Sequence, residues 1–382
     1  MLGSSIRRAF AIGVGIVLWC AACASTGTSN EVESDAQPPG ESGAEPLTGP
    51  QIQNVLAEFV EEDRQSVGVV VGVTSADGRV VVGYGHLSAN DPTQPDGDTV
   101  FEIGSITKVF TSTLLADLVL QEELGLDAPV QSLLGDNVRV PSRNGAEITL
   151  GHLATHTSGL PRLPDNFDPE DPANPYADYA VEDLYEFLSS HRLDRDIGAT
   201  VEYSNLGYGL LGHALALRDG TDFETLMVER ILKPLQMSDT AIELTPDLRD
   251  RMAPGHDMWL RPTANWDLPV LSGAGALRST VNDLLTFLEA NLGLSESPLR
   301  QAMEFARVPQ QRDPALGMDI GLGWIIASEG DREFVWHNGA TGGYASFIGF
   351  DANASEGIVI LSNSQQSVDN LAYRLFTRNF EG

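Results

Sequence analysis

Cysteine is nearly absent. The 382-residue chain has two, Cys20 and Cys23, and both lie in its first 24 residues. The remainder can form no internal disulfide, so its stability rests on packing. Lysine is as scarce: Lys108 and Lys233 are the only two, and every other basic residue is arginine. Arginine keeps its proton in proteins whereas lysine can lose it, which singles out a lysine kept among arginines. Positive charge is short overall. The formal net charge of −31 excludes nucleic-acid binding, which needs a basic surface for phosphates. The acids are spread along the chain and read as a solvated, self-repelling surface. Beyond the leader no apolar run reaches the roughly 20 residues of a membrane span. No G-x-S-x-G occurs, so an α/β-hydrolase nucleophile elbow has no candidate.

Arg7 and Arg8 precede an unbroken run of apolar and small residues, Ala9 to Ala24. This reads as an export signal rather than a membrane span. Small residues around Cys23 suit cleavage before that cysteine and its lipidation, whereas bulky Trp19 disfavours Cys20. Residues 1–22 are therefore expected to be a lipoprotein-type signal peptide. The product would be exported and anchored, facing the periplasm or cell surface; a plain secreted form is the alternative. Residues 23–48 hold Ser, Thr, Gly, Pro and acids without a Lys or Arg, and read as a flexible acidic tether.

The domain is expected over residues 49–382. Apolar residues at helical spacing predict a helix over Gln51–Asp63. Val-rich stretches, Ser66–Thr74 and Arg79–Tyr84, flank Ala76-Asp77-Gly78 and predict a hairpin. A buried helix is expected over Ser105–Leu120, and others over Val181–Ser190, Leu206–Arg218, Phe223–Leu232 and Val281–Leu292. Leu163–Tyr179, rich in Pro, Asp and Asn, reads as a long surface loop. Strand patterns return at Gly323–Ala327, Glu333–His337, Tyr344–Phe350 and Gly357–Ser362, before a final helix at Val368–Phe376. The expected class is α+β. An antiparallel sheet is built from both chain ends (about 49–110 and 310–382), beside a mostly helical lobe (about 111–309), with a cleft between them.

Three stretches carry chemistry. In Ser105-Ile106-Thr107-Lys108 a helix puts residues three apart on one face, so Lys108 reaches the Ser105 hydroxyl. A serine hydroxyl needs a base to become a nucleophile. A helix N-terminus and the Ser105 N–H favour an oxyanion there. In Tyr203-Ser204-Asn205 a phenol is a competent base once a neighbouring ammonium such as Lys108 lowers its pKa from about 10. Asn205 offers a donor and an acceptor for substrate and lysine. Trp336-His337-Asn338-Gly339-Ala340-Thr341-Gly342-Gly343 links two strands. Its glycines admit close substrate approach, and an edge strand there would pair with an extended peptide. Ala340 N–H is the candidate second oxyanion donor, and His337 is a candidate carboxylate binder or proton-transfer group.

Taken together and in this order, these motifs resemble the penicillin-recognising serine hydrolases. They are most similar to class C β-lactamases, their esterase relatives and the AmpH-like D-alanyl-D-alanine carboxypeptidases/endopeptidases. Ile148-Thr149-Leu150, His152 to Pro161 and Ser272 to Thr280 look similar to that family too. The resemblance implies a serine β-lactamase/transpeptidase-like fold without metal or cofactor. It implies Ser105 as acyl-carrying nucleophile, Lys108 and Tyr203 as proton handlers, and Asn205, His337, Asn338 and Gly339 as substrate-binding. It also implies the Ser105 and Ala340 amides as the oxyanion hole. It further implies a small-molecule or peptide substrate derived from peptidoglycan. His337-Asn338-Gly339 stands where the β-lactamase branch has Lys-Thr-Gly, which moves weight toward peptidase and esterase relatives. A wall-peptide or β-lactam sensor without turnover is the reading from another class, and the intact nucleophile and proton partners argue against it.

Two motifs are set aside. Gly207 to Gly212 matches G-x-G-x-x-G but sits in a helical run with no strand before it. His152 and His156 have zinc-like spacing, but Leu153 replaces the glutamate of H-E-x-x-H.

Overall fold

Val69, Val70, Val71 and Val73 are buried on both faces of one strand, which requires a sheet covered on both sides. The computed structural model describes residues 46–314, 317–329 and 332–378. The expected signal peptide, Cys23 and nearly all of the tether lie outside the described residues. In chain order the strands of the main sheet are β1 (Gly68–Ser75), β2 (Gly78–Gly85), β3 (Gln311–Asp313), β4 (Met318–Ile320), β5 (Ile325–Glu329), β6 (Arg332–Ala340), β7 (Ala345–Asp351) and β8 (Glu356–Ser362). Their spatial order is β2-β1-β8-β7-β6-β5-β4-β3, and every pairing is antiparallel. The two chain ends join at β1 and β8, in register from Val69↔Ser362 to Thr74↔Gly357.

Alternation along β1 assigns its side chains to two cores. Val70 belongs to the larger one, with Ile348 and Val359; Val69, Val71 and Val73 belong to the smaller, with Phe347 and Ile360. Helix α1 (Gly49–Ala57) and the last helix, α8 (Asp369–Thr377), cover the smaller core through Ile52, Leu56, Leu371 and Leu375. The domain begins earlier than the expected Gly49. Leu47 is already buried beside Ile52, and the Thr48 N–H donates to Gln51 Oε1 at 2.9 Å. This is a hydrophobic staple with half of a capping box.

The middle of the chain supplies α2 (Thr107–Leu120), α3 (Val181–Ser190), α4 (Asn205–Asp219), α5 (Phe223–Met227), α6 (Val281–Leu292) and α7 (Arg300–Ala306). Helix α2 is buried on every face along most of its length, as a central helix must be. Helix α6 packs on β1 and β8, so it covers the sheet rather than joining the helical lobe. Two predicted helices are interrupted. The expected Gln51–Asp63 and Phe223–Leu232 helices each end in a π-turn, at Glu58–Glu62 and Val228–Leu232. The expected surface loop at 163–179 has no helix or strand but is not wholly superficial: Tyr176 and Tyr179 are buried in the larger core.

Candidate active site

The nucleophile candidate lies where a short strand turns into α2. Phe101–Glu102 pairs with Arg278–Ser279, and a 3₁₀ turn, Gly104–Ile106, precedes α2. Ser105 therefore sits in this turn rather than in the α-helix expected to begin there. Gly104 has φ +49°, and a Cβ on it would lie 2.8 Å from both the N and the O of Ala340. The tight turn and the close strand both require glycine. A Cβ on Gly339 would likewise lie 2.1 Å from the Ile103 carbonyl oxygen. These two glycines bring the Ser105 and Ala340 amides together.

At the second residue of α2, Lys108 is fully buried. Its Nζ lies 3.0 Å from Ser105 Oγ, 2.9 Å from Asn205 Oδ1 and 2.7 Å from the Ala274 carbonyl oxygen. Burial, reinforced by the charge of Arg162, holds its pKa well below the ordinary lysine value. Two of its three partners, a carbonyl and an amide oxygen, only accept. Protonated, the amine donates to all three; once neutral, it can give its two N–H groups to the obligate acceptors and turn its lone pair to Ser105 Oγ–H.

The Tyr203 hydroxyl lies close enough to Ser105 for the serine to lower its pKa. Ser204 caps α4 through its Oγ, which accepts from Gly207 N at 2.8 Å and donates to Pro161 O at 2.7 Å. The Ser204 N–H donates to His156 Nδ1 at 3.0 Å. Lys108 Nζ lies 4.8 Å from the centre of the Tyr203 ring, and the His156 ring lies 4.4 Å away. The expectation that Lys108 lowers the phenol's pKa is corrected. Burial pushes Tyr203 up to about 12, against the opposing pull of Ser105 and of Arg162. Lys108 is not among the groups that lower it.

On β6, pairing with β5 stops at Trp336↔Ile325, while pairing with β7 continues to Ala340↔Ala345. Residues 337–340 thus form a local strand edge inside the sheet, rather than the strand-to-strand link expected. His337 is buried, and its Nδ1 lies 2.5 Å from the Asn338 carbonyl oxygen. That bond puts the proton on Nδ1 and leaves Nε2 as an acceptor. Burial and Lys108 lower its pKa to about 3, so His337 supplies no fixed positive charge for a carboxylate, contrary to expectation. Asn338 is corrected too. Its amide donates to both oxygens of Asp369, each at 3.0 Å, on the α8 side of the sheet. Alternation along the strand turns it away from the face that Gly339 presents to Ser105.

The cleft is lined at its polar end by Ser105, Asn205 and Ala340, and on its wall by Tyr176, Trp266, Leu268 and Leu271. Glu102 fixes that wall by accepting the Trp266 N–H at 2.9 Å. None of the four wall residues was singled out in the sequence, because single aromatics and leucines carry no local motif. His156 was given no role in the site, yet it shapes the Tyr203 pocket. Among the described residues no group of three or more His, Cys, Asp or Glu side chains is placed to hold a metal. The glycines of the G-x-G-x-x-G match serve helix packing: a Cβ on Gly209 would meet Leu271 at 2.3 Å.

The family model described as Beta-lactamase matches residues 52–378. The chain belongs to the beta-lactamase family. It is a serine hydrolase by descent. It is 28% identical over 322 residues to the D-alanyl-D-alanine-carboxypeptidase/endopeptidase AmpH of Escherichia coli strain K12, covering 80% of this chain and 82% of that protein. It is 27% identical over 322 residues to a beta-lactamase of the same strain, covering 74% and 79%. A class C beta lactamase structure from Rhodobacter sphaeroides superposes with a TM-score of 0.74 at 25% identity, covering 87% of this chain and 99% of that one. The α+β, class C-like fold expected from the motifs is the fold observed.

Proposed function

We propose that the protein is an acyl-transfer hydrolase in which neutral Lys108 takes the proton of Ser105. The observation that carries this reading is the place of the lysine: buried Lys108 Nζ lies 3.0 Å from Ser105 Oγ and is held there by donating to Asn205 Oδ1 and the Ala274 carbonyl oxygen. Ser105 Oγ attacks the substrate carbonyl and its proton moves to Nζ. The Ser105 and Ala340 amides hold the oxyanion. Tyr203, a neutral phenol, hands a proton to the leaving group, and the Lys108 ammonium supplies its replacement. Water then releases the acyl group by the reverse proton path. Asn205 orients both the lysine and the substrate.

The substrate proposed is a D-alanyl-D-alanine-type peptide of peptidoglycan, supported by the likeness to AmpH and by a local strand edge suited to an extended peptide. The chain is proposed to work outside the cytoplasm, tethered through Cys23. The test pairs wild type with Ser105→Ala on a D-alanyl-D-alanine peptide, a labelled penicillin and a p-nitrophenyl ester. The reading expects peptide turnover and a Ser105 acyl adduct by mass spectrometry, both lost in the variant. Turnover retained by Ser105→Ala overturns the mechanism. Stable labelling without product indicates a sensor, and preference for penicillin or ester reassigns the substrate. For the tether, mass spectrometry of the native N-terminus must find a lipidated Cys23; a free amine at another residue refutes it.

A further inference from the structure

Arg162 stands over the ring of Tyr203, its Cζ 5.1 Å from the ring centre. Its backbone is fixed to the same turn. The Arg162 carbonyl accepts the N–H groups of Asn205 and Leu206, each at 3.1 Å, and the neighbouring Pro161 carbonyl accepts from Ser204 Oγ at 2.7 Å. The side chain is exposed. Among the described residues no carboxylate lies within ion-pair distance of it. Arg195, Arg230, Arg251 and Arg278 each pair with two acids. With 54 acidic residues against 23 basic ones, an unpaired guanidinium beside reactive groups calls for a partner from outside.

The other cations near Ser105 do not meet that need. Lys108 is buried with all its hydrogen-bonding positions engaged, and His337 is buried and neutral. The charge of Arg162 acts on Lys108, Tyr203 and the cleft-lining Tyr176, so its field reaches the space the substrate occupies. A guanidinium presents a planar fork that matches a carboxylate in a bidentate pair.

We infer that Arg162 anchors a carboxylate of the substrate beside the Ser105–Tyr203 pair, and so selects anionic acyl donors. This rests on the serine-hydrolase reading and names its substrate class more narrowly. The carboxylate belongs either to the acyl group or to the leaving group, and two pairs of esters separate these. The first pair is the p-nitrophenyl monoester of glutaric acid and its neutral methyl ester. The second is N-acetyl-D-alanyl-D-lactate and its amide. In the wild type, kcat/KM favours the acidic member of at least one pair by tenfold or more, and the favoured pair names the side. Arg162→Gln lowers that ratio at least tenfold, and Arg162→Lys, which keeps the charge and most of the stem, retains part of it. A ratio unchanged in Arg162→Gln, or no acid preference in the wild type, overturns the inference. Should neither variant fold, Arg162→Glu must reverse the preference, or the inference falls. Failure of all four esters to form a Ser105 adduct in the wild type is a different result: it refutes the hydrolase reading itself.

Discussion

Gly339 of β6 lies against Ser105 so closely that a methyl group on its α-carbon would sit 2.9 Å from the Ser105 main-chain nitrogen. Backbone meets backbone there, and neither side gives way cheaply. Gly339→Ala is expected to push β6 off the turn, with loss of one oxyanion donor. Acylation should fall about 10²–10³-fold and stability by about 1–3 kcal/mol. Stopped-flow acylation and urea titration check the two effects. An active, stable Gly339→Ala enzyme would mean that the amides are not held together in this way.

The pH profile follows from Lys108 and Tyr203. Lys108 must be unprotonated to act, so kcat/KM rises with pH through a value well below the ordinary 10.5. Tyr203 must stay protonated, so the fall comes only near its value of about 12. Between them lies a broad plateau. Arg in place of Lys108 cannot lose its proton, so Lys108→Arg should lose about 10²–10⁴-fold of rate at every pH. A descending limb near neutrality would contradict the phenol's assignment.

His337 makes the fold sensitive to acid. Its folded pKa, about 3, lies below its ordinary 6.5, so between those values the unfolded chain binds a proton that the folded one does not. Stability from this group therefore rises with pH across that window, by at most about 1.4 kcal/mol per pH unit. Below about pH 3 both states are protonated and the dependence ends. Urea midpoints from pH 4 to 6 should vary less steeply for His337→Asn. An unchanged slope would mean that the imidazole takes up its proton in the folded state.

Asn338 is expected to behave as a structural residue. Its partner Asp369 is half-buried, with its pKa raised by desolvation, so loss of the amide takes away the donor that both carboxylate oxygens share. Asn338→Ala should cost about 1–3 kcal/mol while kcat/KM changes less than about twofold. A large fall in kcat/KM at unchanged stability would return Asn338 to the substrate.

Ser105, Lys108, Tyr203 and Asn205 were legible because a short spacing or a compact tripeptide carries them, and the structure brings all four together. The sheet was legible because Val69–Val73 is a short valine-rich run bounded by turn signals, and the strands after residue 320 alternate or run apolar. What stayed hidden depends on distance in sequence. Spacing placed Asn338 beside Gly339, but only the strand's alternation, with Asp369 waiting on α8, turns it to the far face. The cleft wall draws Tyr176 from one loop and Trp266 from another, joined where Asn174 Nδ2 donates to Asp267 Oδ2 at 2.9 Å. Net burial of Tyr203 and His337 could not be read either, because desolvation is set by everything packed around a ring.

The seam between β1 and β8 has a consequence for synthesis. The ribosome releases β1 long before its neighbour: 280 residues, 76 to 355, separate the two strands. At about 5–20 residues per second the hairpin waits roughly 15 to 60 s with one flank unsatisfied. Translation products ending before Glu356 would carry that bare flank permanently and be prone to self-association, so the domain cannot close until β8 has been made.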